Sequence, residues 1–384
     1  SYTGEPMCEI SCHGGVAVFT AVLETLSLLG ARNAEPGEFT QRAVLNGKLD
    51  LIRAEAIGDL VDARTQALRR VALSHLDGSL TRALNELRDR VIHVEALLAY
   101  DIDFPEEDDG PIGRTAITDA AREACVAILR LLTTAPLGEV AREGAVVVVA
   151  GPPNVGKSSL FNALIGEGRA IVTDVPGTTR DAIEAKVETG RWPLRLVDTA
   201  GIRETTDVVE RLGIEVSERW LREAHVVLVC GTTEDELRDA IARLDALGHA
   251  PRIAVYTKQD LRTDATQDRS PQALNGAEAT VSVSAIQREG IGTLLQELHN
   301  VLERHVGDVN PELPIVTRAR HREALVRAHA EMEEFVMLWS ANGVPAPIAA
   351  VHVRSAILAM DDLIGSVDVE DILERVFRTF CVGK

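Results

Sequence analysis

The spacing of apolar residues divides the chain into helical ends and a central region where strands alternate with helices. Between residues 144 and 304, short apolar runs bounded by polar segments are typical of buried strands. These runs predict strands at 146–150, 194–197, 226–229, 253–256 and 279–283. Residues 47–137, 318–338 and 347–360 instead carry apolar positions at helical spacing. The pattern predicts an α/β domain with a doubly wound, mostly parallel sheet, inserted into a helical domain built from both flanks.

The start of the chain has a mixed pattern that we assign to a partial α+β domain. A helix is predicted at 16–29, ending at Gly30, and a turn at 36–39. Because the chain begins at Ser1 and residues 9–15 read as the interior of a domain, we expect an N-terminal portion to be missing. The domain boundaries that we predict are 1–46, 47–138, 139–308 and 309–384.

Composition narrows the class of protein. With 384 residues, 46% of them hydrophobic, the chain is expected to form two or three globular domains. No apolar run has the length of a membrane span, so we expect no membrane association. Five scattered cysteines without a C-x-x-C pair predict a reduced, cytoplasmic protein without a disulfide framework or a zinc site.

Charge bears on possible partners. The net charge of −19 is unlike that of a protein that grips a nucleic-acid backbone, so any RNA must be held by a local patch or by a partner. The acidic segment at 101–110 interrupts the predicted helices, and it is either a solvated connection or a partner-binding loop.

The most specific chemistry lies directly after the first predicted strand. Residues 151–158 match the phosphate-binding pattern G-x-x-x-x-G-K-S/T, between strand 146–150 and a predicted helix at 159–165. Glycines let backbone N–H groups surround phosphates, Lys157 reaches the β- and γ-phosphates, and the Ser158 hydroxyl can bind Mg²⁺. The other positions assigned to nucleotide binding here are Asn154, Val155, Gly156 and Ser159.

Two further motifs are typical of GTPases. The strand at 194–197 ends in Asp198-Thr-Ala-Gly201, a D-x-x-G pattern in which Asp198 supports the Mg²⁺ shell and the Gly201 N–H meets the γ-phosphate. Between the two motifs, Thr178 and Thr179 offer a hydroxyl that completes Mg²⁺ coordination, and we assign this to Thr179.

The strand at 253–256 leads into a segment similar to the guanine-reading N-K-x-D motif. Thr257 replaces the asparagine, Lys258 can cover the ring, and Asp260 can accept from the guanine N1 and N2 donors. Ser284 and Ala285 follow the last strand and resemble the element whose backbone meets guanine O6. We expect the threonine to weaken guanine binding, and ATP is the alternative nucleotide.

The hydrolytic water needs a partner that the D-x-x-G motif does not supply. Signalling GTPases often place a glutamine where this chain has Ile202, whose aliphatic side chain cannot orient water. The candidates downstream are Glu204, Asp207, Glu210 and Glu215.

Together these strings resemble the MnmE (TrmE) family of tRNA modification GTPases, with a TrmE-type G protein domain. The strings that carry the resemblance are residues 151–159, 173–181 and 198–204 in the nucleotide site, 1–5, 12–15, 36–42, 46–50 and 103–107 in the flanks, and the terminal Cys381-Val-Gly-Lys384. The resemblance spans the chain, and the flanking strings are more specific than the GTPase motifs.

The resemblance implies a function beyond GTP hydrolysis. Members of the family pair an N-terminal folate-binding and dimerisation domain with a helical domain and an inserted G domain. With an FAD-dependent partner, MnmG, they modify C5 of the tRNA wobble uridine by an aminomethyl or carboxymethylaminomethyl group, using a tetrahydrofolate derivative. The resemblance thus implies a homodimer, a heterotetramer with MnmG, and K⁺-stimulated hydrolysis.

It also implies roles for single residues. Asn154 would bind K⁺ through its side chain, and backbone carbonyls near Thr173, Val175 and Thr178 would complete that site. Glu210 would orient the attacking water. Candidates for the folate site are Arg42, Lys48, Cys381 and Lys384. The hypothesis from a different class is a non-catalytic, GTP-dependent assembly switch, for example of ribosomes.

Overall fold

The structure is a computed structural model of the whole chain. It describes residues 1–103, 113–167, 169–171, 183–198, 219–245, 248–261, 274–310, 312–341 and 344–364. The chain divides into two compact units. The helical unit comprises Ser1–Asp62, Ala72–Thr134 and Pro311–Lys384, and the sheet unit comprises Ala63–Val71 and Ala135–Asn310.

The sheet unit is built around one seven-stranded sheet in the order β2-β3-β4-β1-β5-β6-β7. Its strands are β1 (Ala145–Ala150), β2 (Arg169–Ile171), β3 (Ile183–Glu188), β4 (Pro193–Asp198), β5 (Val226–Gly231), β6 (Arg252–Tyr256) and β7 (Ala279–Ser282). Strands β4, β1, β5, β6 and β7 pair in parallel. The predicted, mostly parallel sheet is therefore confirmed.

Helices cover the sheet and leave its central strands without solvent contact. Every residue of β1, β5 and β6 is buried. This explains why, apart from Arg252 at the start of β6, these strands are apolar and do not alternate with polar residues. Helices of this unit with both ends in the described part include α7 (Ala135–Glu143), α8 (Lys157–Glu167), α9 (Glu234–Leu244) and α10 (Ile291–Val306). Because parallel strands end together, the loops after β1, β4, β5 and β6 meet at one edge of the sheet.

The edge formed by β2 and β3 was not predicted. These strands are antiparallel, and β3 forms a hairpin with β4 in which Ile183 pairs with Asp198 and Glu188 with Pro193. Buried Ala185 and Val187 alternate with charged neighbours in β3, which is the period-two signal of a half-buried strand.

The helical unit contains eight helices among its described residues. They are α1 (Val16–Leu28), α2 (Glu38–Leu45), α3 (Leu51–Asp62), α4 (Gln66–Leu76), α5 (Ser79–Asp103), α6 (Arg114–Leu132), α11 (Ala319–Ser340) and α12 (Ala346–Ile364), with the first turns of α4 belonging to the sheet unit. Helices from both flanks of the sheet unit pack together, α11 against α6 and α12, and α12 against α5. The prediction that both flanks form one helical domain agrees with this packing.

One aromatic cluster holds α6 to α11. The rings of Phe335 and Trp339 stack with centroids 5.9 Å apart, and both side chains are buried. The Arg114 guanidinium lies 4.0 Å from the Trp339 ring centroid, and its NH2 group donates a hydrogen bond to the Trp339 carbonyl. Aromatic stacking and the cation–π contact both stabilise the packing of α6 on α11, in addition to the stabilisation that comes from burying apolar surface.

A charged cluster is buried beside α3. Glu55 accepts hydrogen bonds from Arg320 at 3.2 Å and from His321 at 2.8 Å, and Arg318 lies 3.5 Å away. Burial alone would raise the pKa of Glu55, but His321 and the two arginines hold it well below its usual range. His75, also buried, contacts the Ile315 carbonyl at 2.8 Å, and burial lowers its pKa to about 4.

Two of the predicted connections have other boundaries in the structure. The predicted turn at 36–39 is shorter, because α2 already begins at Glu38, whose carboxylate accepts from the Glu35 N–H at the start of the helix. The predicted acidic connection at 101–110 begins later, since α5 continues to Asp103, and residues 104–112 lie outside the described part.

Residues 114–143 form the one stretch in the described part that is long and apolar enough to cross a membrane by composition. Within it, α6 buries Ile117, Ala121, Ala124 and Ile128, and the helix packs on α11. The opposite side of α6 exposes Val126 and Leu129, so the helix is buried along one face.

Candidate functional site

The phosphate-binding loop joins β1 to α8 in a conformation that its residue types require. Gly151 has φ 140°, and a Cβ there would lie 2.3 Å from the Cys230 carbonyl oxygen, so only glycine fits between β1 and β5. Asn154 and Gly156 also have positive φ, 62° and 99°. These turns direct the loop back to the N-terminus of α8, which begins at Lys157.

Charged groups are concentrated at the end of this loop. The Lys157 side chain is buried, and its ammonium group donates to the Pro152 carbonyl at 2.8 Å, across the base of the loop. Asp198 is also buried, and β1 pairs with β4 so that Val149 lies opposite it. Burial raises the pKa of the nearby Cys230 thiol to about 12, so this cysteine stays protonated and unreactive.

The oxygen donors suit the Mg²⁺ ion that accompanies a bound nucleotide. Ser158 lies exposed in the first turn of α8, and the Asp198 carboxylate ends β4. Hydroxyl and carboxylate oxygens are the ligands that Mg²⁺ prefers, together with water and phosphate. The described residues contain no group of three or more His, Cys, Asp and Glu side chains that could hold a metal by themselves.

Thr257 connects the guanine segment to the phosphate-binding loop. Its backbone N–H donates to the Gly231 carbonyl at 2.9 Å. Its hydroxyl lies within hydrogen-bond distance of the Val155 carbonyl and 3.2 Å from that of Gly231. The side chain is buried, so the hydroxyl links three loops that follow three neighbouring strands.

Lys258 makes a second link to the loop. It has φ 55°, and its ammonium group donates to the Asn154 carbonyl at 2.7 Å. The carboxylate of Glu236 lies near this lysine and accepts from the N–H and hydroxyl of Thr232 at 2.7 and 2.8 Å. These Thr232 bonds, with help from the Lys258 charge, lower the pKa of Glu236.

Glu236 is a residue that the sequence analysis missed. Its signal was present in the chain, because Thr233 and Glu236 form a capping box, in which each side chain binds the backbone N–H of the other residue, at the start of α9. The box fixes the end of β5 beside the guanine segment.

Asp260 is held by the segment after β7. The buried Ser284 hydroxyl donates to the Asp260 carboxylate at 2.7 Å and accepts from the Gln287 N–H at 3.2 Å. The Gln259 N–H donates to the Val283 carbonyl at 3.1 Å. A carboxylate fixed in this way can accept from two donors in one plane, as guanine N1 and N2 present them. Half-buried Ala285 follows directly in the chain.

The structure thus brings together the phosphate loop, Asp198 and the guanine segment at one edge of the sheet. The remaining predicted nucleotide and cation residues lie outside the described residues. These are Thr173, Val175, Thr178, Thr179, Gly201 and the water-orienting candidates Glu204, Asp207, Glu210 and Glu215.

Two of the four folate-site candidates lie in the described part of the chain, and two lie outside it. Arg42 is half exposed, and its guanidinium forms ion pairs with Glu38 and Glu5 at 2.6 and 3.2 Å. The Lys48 side chain passes beside Gly4, where a Cβ would lie 3.3 Å from its Cγ. Cys381 and Lys384 lie outside the described part of the chain.

Among the solved structures that are similar to this chain is a G domain. The G domain of the FeoB iron transporter of T. maritima is 23% identical and covers 42% of this chain and 98% of its own, with a TM-score of 0.31. That TM-score is too low to bear on the assignment.

Family models match most of the chain. The MnmE helical domain matches residues 51–381, and the N-terminus of the GTP-binding protein TrmE matches residues 1–48. The first match spans a range that includes the sheet unit, in accord with a G domain inserted into a helical one.

Curated relatives match over the full length of this chain. The tRNA modification GTPase MnmE of Aquifex aeolicus is 39% identical over 386 residues, covering 100% of this chain and 84% of the relative. The proteins of the same name from Heliobacterium modesticaldum and Symbiobacterium thermophilum are 41% and 40% identical, each with 83% of the relative covered. With the nucleotide-site geometry above, these matches show that the chain belongs to the MnmE family of tRNA modification GTPases.

Proposed function

We propose that this protein is a K⁺-stimulated GTPase that acts with an FAD-dependent partner of the MnmG type to modify C5 of the tRNA wobble uridine. The observation that carries the GTPase part is the fixed geometry of the guanine segment. Thr257 and Lys258 form hydrogen bonds to the phosphate loop, and Ser284 orients Asp260, which supports joint binding of base and phosphates by these segments.

The residues divide the work of GTP hydrolysis by their chemistry. Lys157 and the N–H groups at the start of α8 stabilise the negative charge of the β- and γ-phosphates. Ser158 and Thr179 would hold Mg²⁺, with Asp198 supporting its shell, and the ion would offset negative charge on the phosphates. Asp260 selects guanine over adenine, because adenine lacks the paired N1 and N2 donors.

A bound K⁺ would supply the positive charge that an arginine finger supplies in other GTPases. Asn154 supports this role, because it is exposed at the tip of the phosphate loop while Lys258 holds its carbonyl. Carbonyls near Thr173, Val175 and Thr178 complete the cation site, and Glu210 orients the attacking water.

The cation is tested by GTP turnover in KCl and in NaCl at equal ionic strength. We expect faster turnover in KCl, and equal rates would contradict the role of K⁺. Asn154→Gly is the informative variant, because glycine keeps the backbone at φ 62° while removing the amide. It should retain nucleotide affinity and lose the K⁺ response, whereas Asn154→Asp should keep part of that response through its oxygen.

The water-orienting role is tested by Glu210→Ala with Glu204→Ala as the matched control. We expect only the first to lose turnover while both bind GTP normally. If Glu210→Ala turns over GTP at the normal rate, the role belongs to another residue.

The proposal includes three further parts. The protein forms a homodimer, it is located in the cytoplasm, and it binds a tetrahydrofolate derivative near Arg42, Lys48, Cys381 and Lys384.

The modification itself is tested by mass spectrometry of tRNA from a deletion strain, with this chain or an Asp260→Asn variant supplied back. Restored wobble uridine modification by the first alone supports the proposal. Unchanged wobble uridines in the deletion strain would favour the assembly switch.

A further inference from the structure

The N-terminus of α4 is capped by a turn that is distant in sequence. The Gln66 N–H donates to the Gly190 carbonyl at 3.0 Å, and the Ala67 N–H donates to the Arg191 carbonyl at 3.3 Å. The Leu68 N–H reaches the Thr65 hydroxyl at 3.4 Å. A helix start leaves four N–H groups without helical partners, and the hairpin turn between β3 and β4 binds two of those in α4.

The same turn is fixed from its other side by α10. The Thr189 hydroxyl donates to the Trp192 carbonyl at 2.7 Å and contacts His299 Nε2 at 2.8 Å. Burial, with the Arg191 charge, lowers the pKa of His299 to about 4. Because the Thr189 hydroxyl gives its one proton to the Trp192 carbonyl, it accepts from His299 Nε2. Arg191 also forms an ion pair with Glu303. The turn is therefore held between two helices and is not a free loop tip.

The strands of this hairpin connect the turn to the nucleotide site. Strand β4 ends at Asp198, the first residue of the D-x-x-G motif, and β3 begins directly after the segment that contains Thr178 and Thr179. The two strands pair in register from Ile183–Asp198 to Glu188–Pro193. The paired strands thus form a continuous hydrogen-bonded connection from the residues beside the nucleotide site to the turn.

Helix α4 leads out of the sheet unit. It is continuous from Gln66 to Leu76, and the boundary between the two units falls inside it, between Val71 and Ala72. Val71 and Ala67 are buried, so its first turns pack within the sheet unit. Near the end of the helix, His75 contacts the Ile315 carbonyl, and both of these residues belong to the helical unit.

We propose that the β3–β4 turn is a docking point through which the nucleotide state of the GTPase site reaches α4. In this mechanism the turn is linked to α4 by the Gly190 and Arg191 carbonyls, which accept hydrogen bonds from the first N–H groups of the helix. The proposal requires GTP binding but neither the cation nor the FAD-dependent partner.

The link is tested by hydrogen exchange and mass spectrometry of the full chain bound to GDP or to a non-hydrolysable GTP analogue. We expect exchange in the peptide covering residues 64–76 to differ between the two nucleotides. Gln66→Pro should lose this difference, because proline removes the N–H that binds Gly190 yet suits the first position of a helix. Gln66→Ala is the matched control, and it should retain the difference because it keeps the N–H.

Exchange in two peptides distinguishes failure of this link from failure of nucleotide binding. Protection of the phosphate-loop peptide, residues 151–165, reports nucleotide binding in the same samples. If that peptide responds and residues 64–76 of the unaltered chain do not, the link is wrong and the GTPase assignment stands. A Gln66→Pro protein that keeps the nucleotide-dependent difference would also overturn the proposal, and the measurement on the unaltered chain decides the matter if this variant does not fold.

Discussion

Thr257 shows how a single side chain can depart from a motif and keep its structural role. The sequence led us to expect weaker guanine binding because threonine replaces asparagine. In the structure its hydroxyl reaches the Val155 and Gly231 carbonyls, so the connection between base and phosphate segments is present. The positions of Lys157 and Asp260 at this edge of the sheet could be predicted, because the residues of each motif are contiguous. The Ser284–Asp260 hydrogen bond depends on tertiary packing and could be predicted only by analogy.

We expect Thr257→Val to weaken GDP binding by about tenfold, corresponding to about 1.4 kcal/mol. Valine keeps the shape but leaves the buried Val155 carbonyl without this donor. Titration with a fluorescent GDP analogue measures the change. Thr257→Ser is the control and should bind nearly as the unaltered chain does, and equal affinity of all three proteins would show that the hydroxyl does not support the loop.

At the scale of elements, long apolar patterns predicted helices and strands well, whereas short or half-buried elements were missed. Strands β1, β5 and β6 are continuous buried runs, and the ends of helices α11 and α12 differ from the prediction by one to four residues. Strand β3 was missed because only half of its residues are apolar. The capping of α4 by the β3–β4 turn could not be predicted, because backbone hydrogen bonds between distant segments leave no pattern of side chains.

The buried His75 should make the helical unit sensitive to acid. Its pKa in the folded protein, about 4, is below the ordinary value of 6.5, so as pH falls the unfolded chain takes up this proton first and stability decreases. Between pH 7 and pH 5 this one group should cost about 2 kcal/mol. Urea unfolding followed by circular dichroism at the two pH values measures the loss.

His75→Gln provides the comparison, since an amide can still donate to the Ile315 carbonyl but does not titrate. Its unfolding free energy should fall less between the same two pH values. The same acid dependence in both proteins would place the sensitivity in other groups.

For the whole molecule, the insertion of one unit into the other was readable from the order of patterns along the chain. The assignment of Ala63–Val71 to the sheet unit was not, because their helical spacing resembles that of their neighbours. An α+β folate-binding domain at the N-terminus stays a prediction, since residues 1–46 contain helices and no named strand in the described structure.

The net charge of −19 sets an expectation for RNA binding. Phosphate contacts supply most non-specific affinity. In this chain 59 acidic residues, which repel phosphates, outnumber 40 Lys and Arg residues. We expect no saturable complex with tRNA below about 100 µM at physiological salt when the protein is alone. Gel mobility shift with and without the FAD-dependent partner measures this, and tight binding by the isolated chain would reveal a local basic surface.

The burial of Cys230 has a practical consequence for spectroscopy. Its thiol lies inside β5 with a pKa raised to about 12, so a maleimide dye or spin label at neutral pH will leave it unmodified. Cys8 and Cys12 are exposed and will react first among the described cysteines. Probes introduced on α4 or α10 therefore require replacement of surface thiols but not of Cys230, and the packing behind the phosphate loop is left undisturbed.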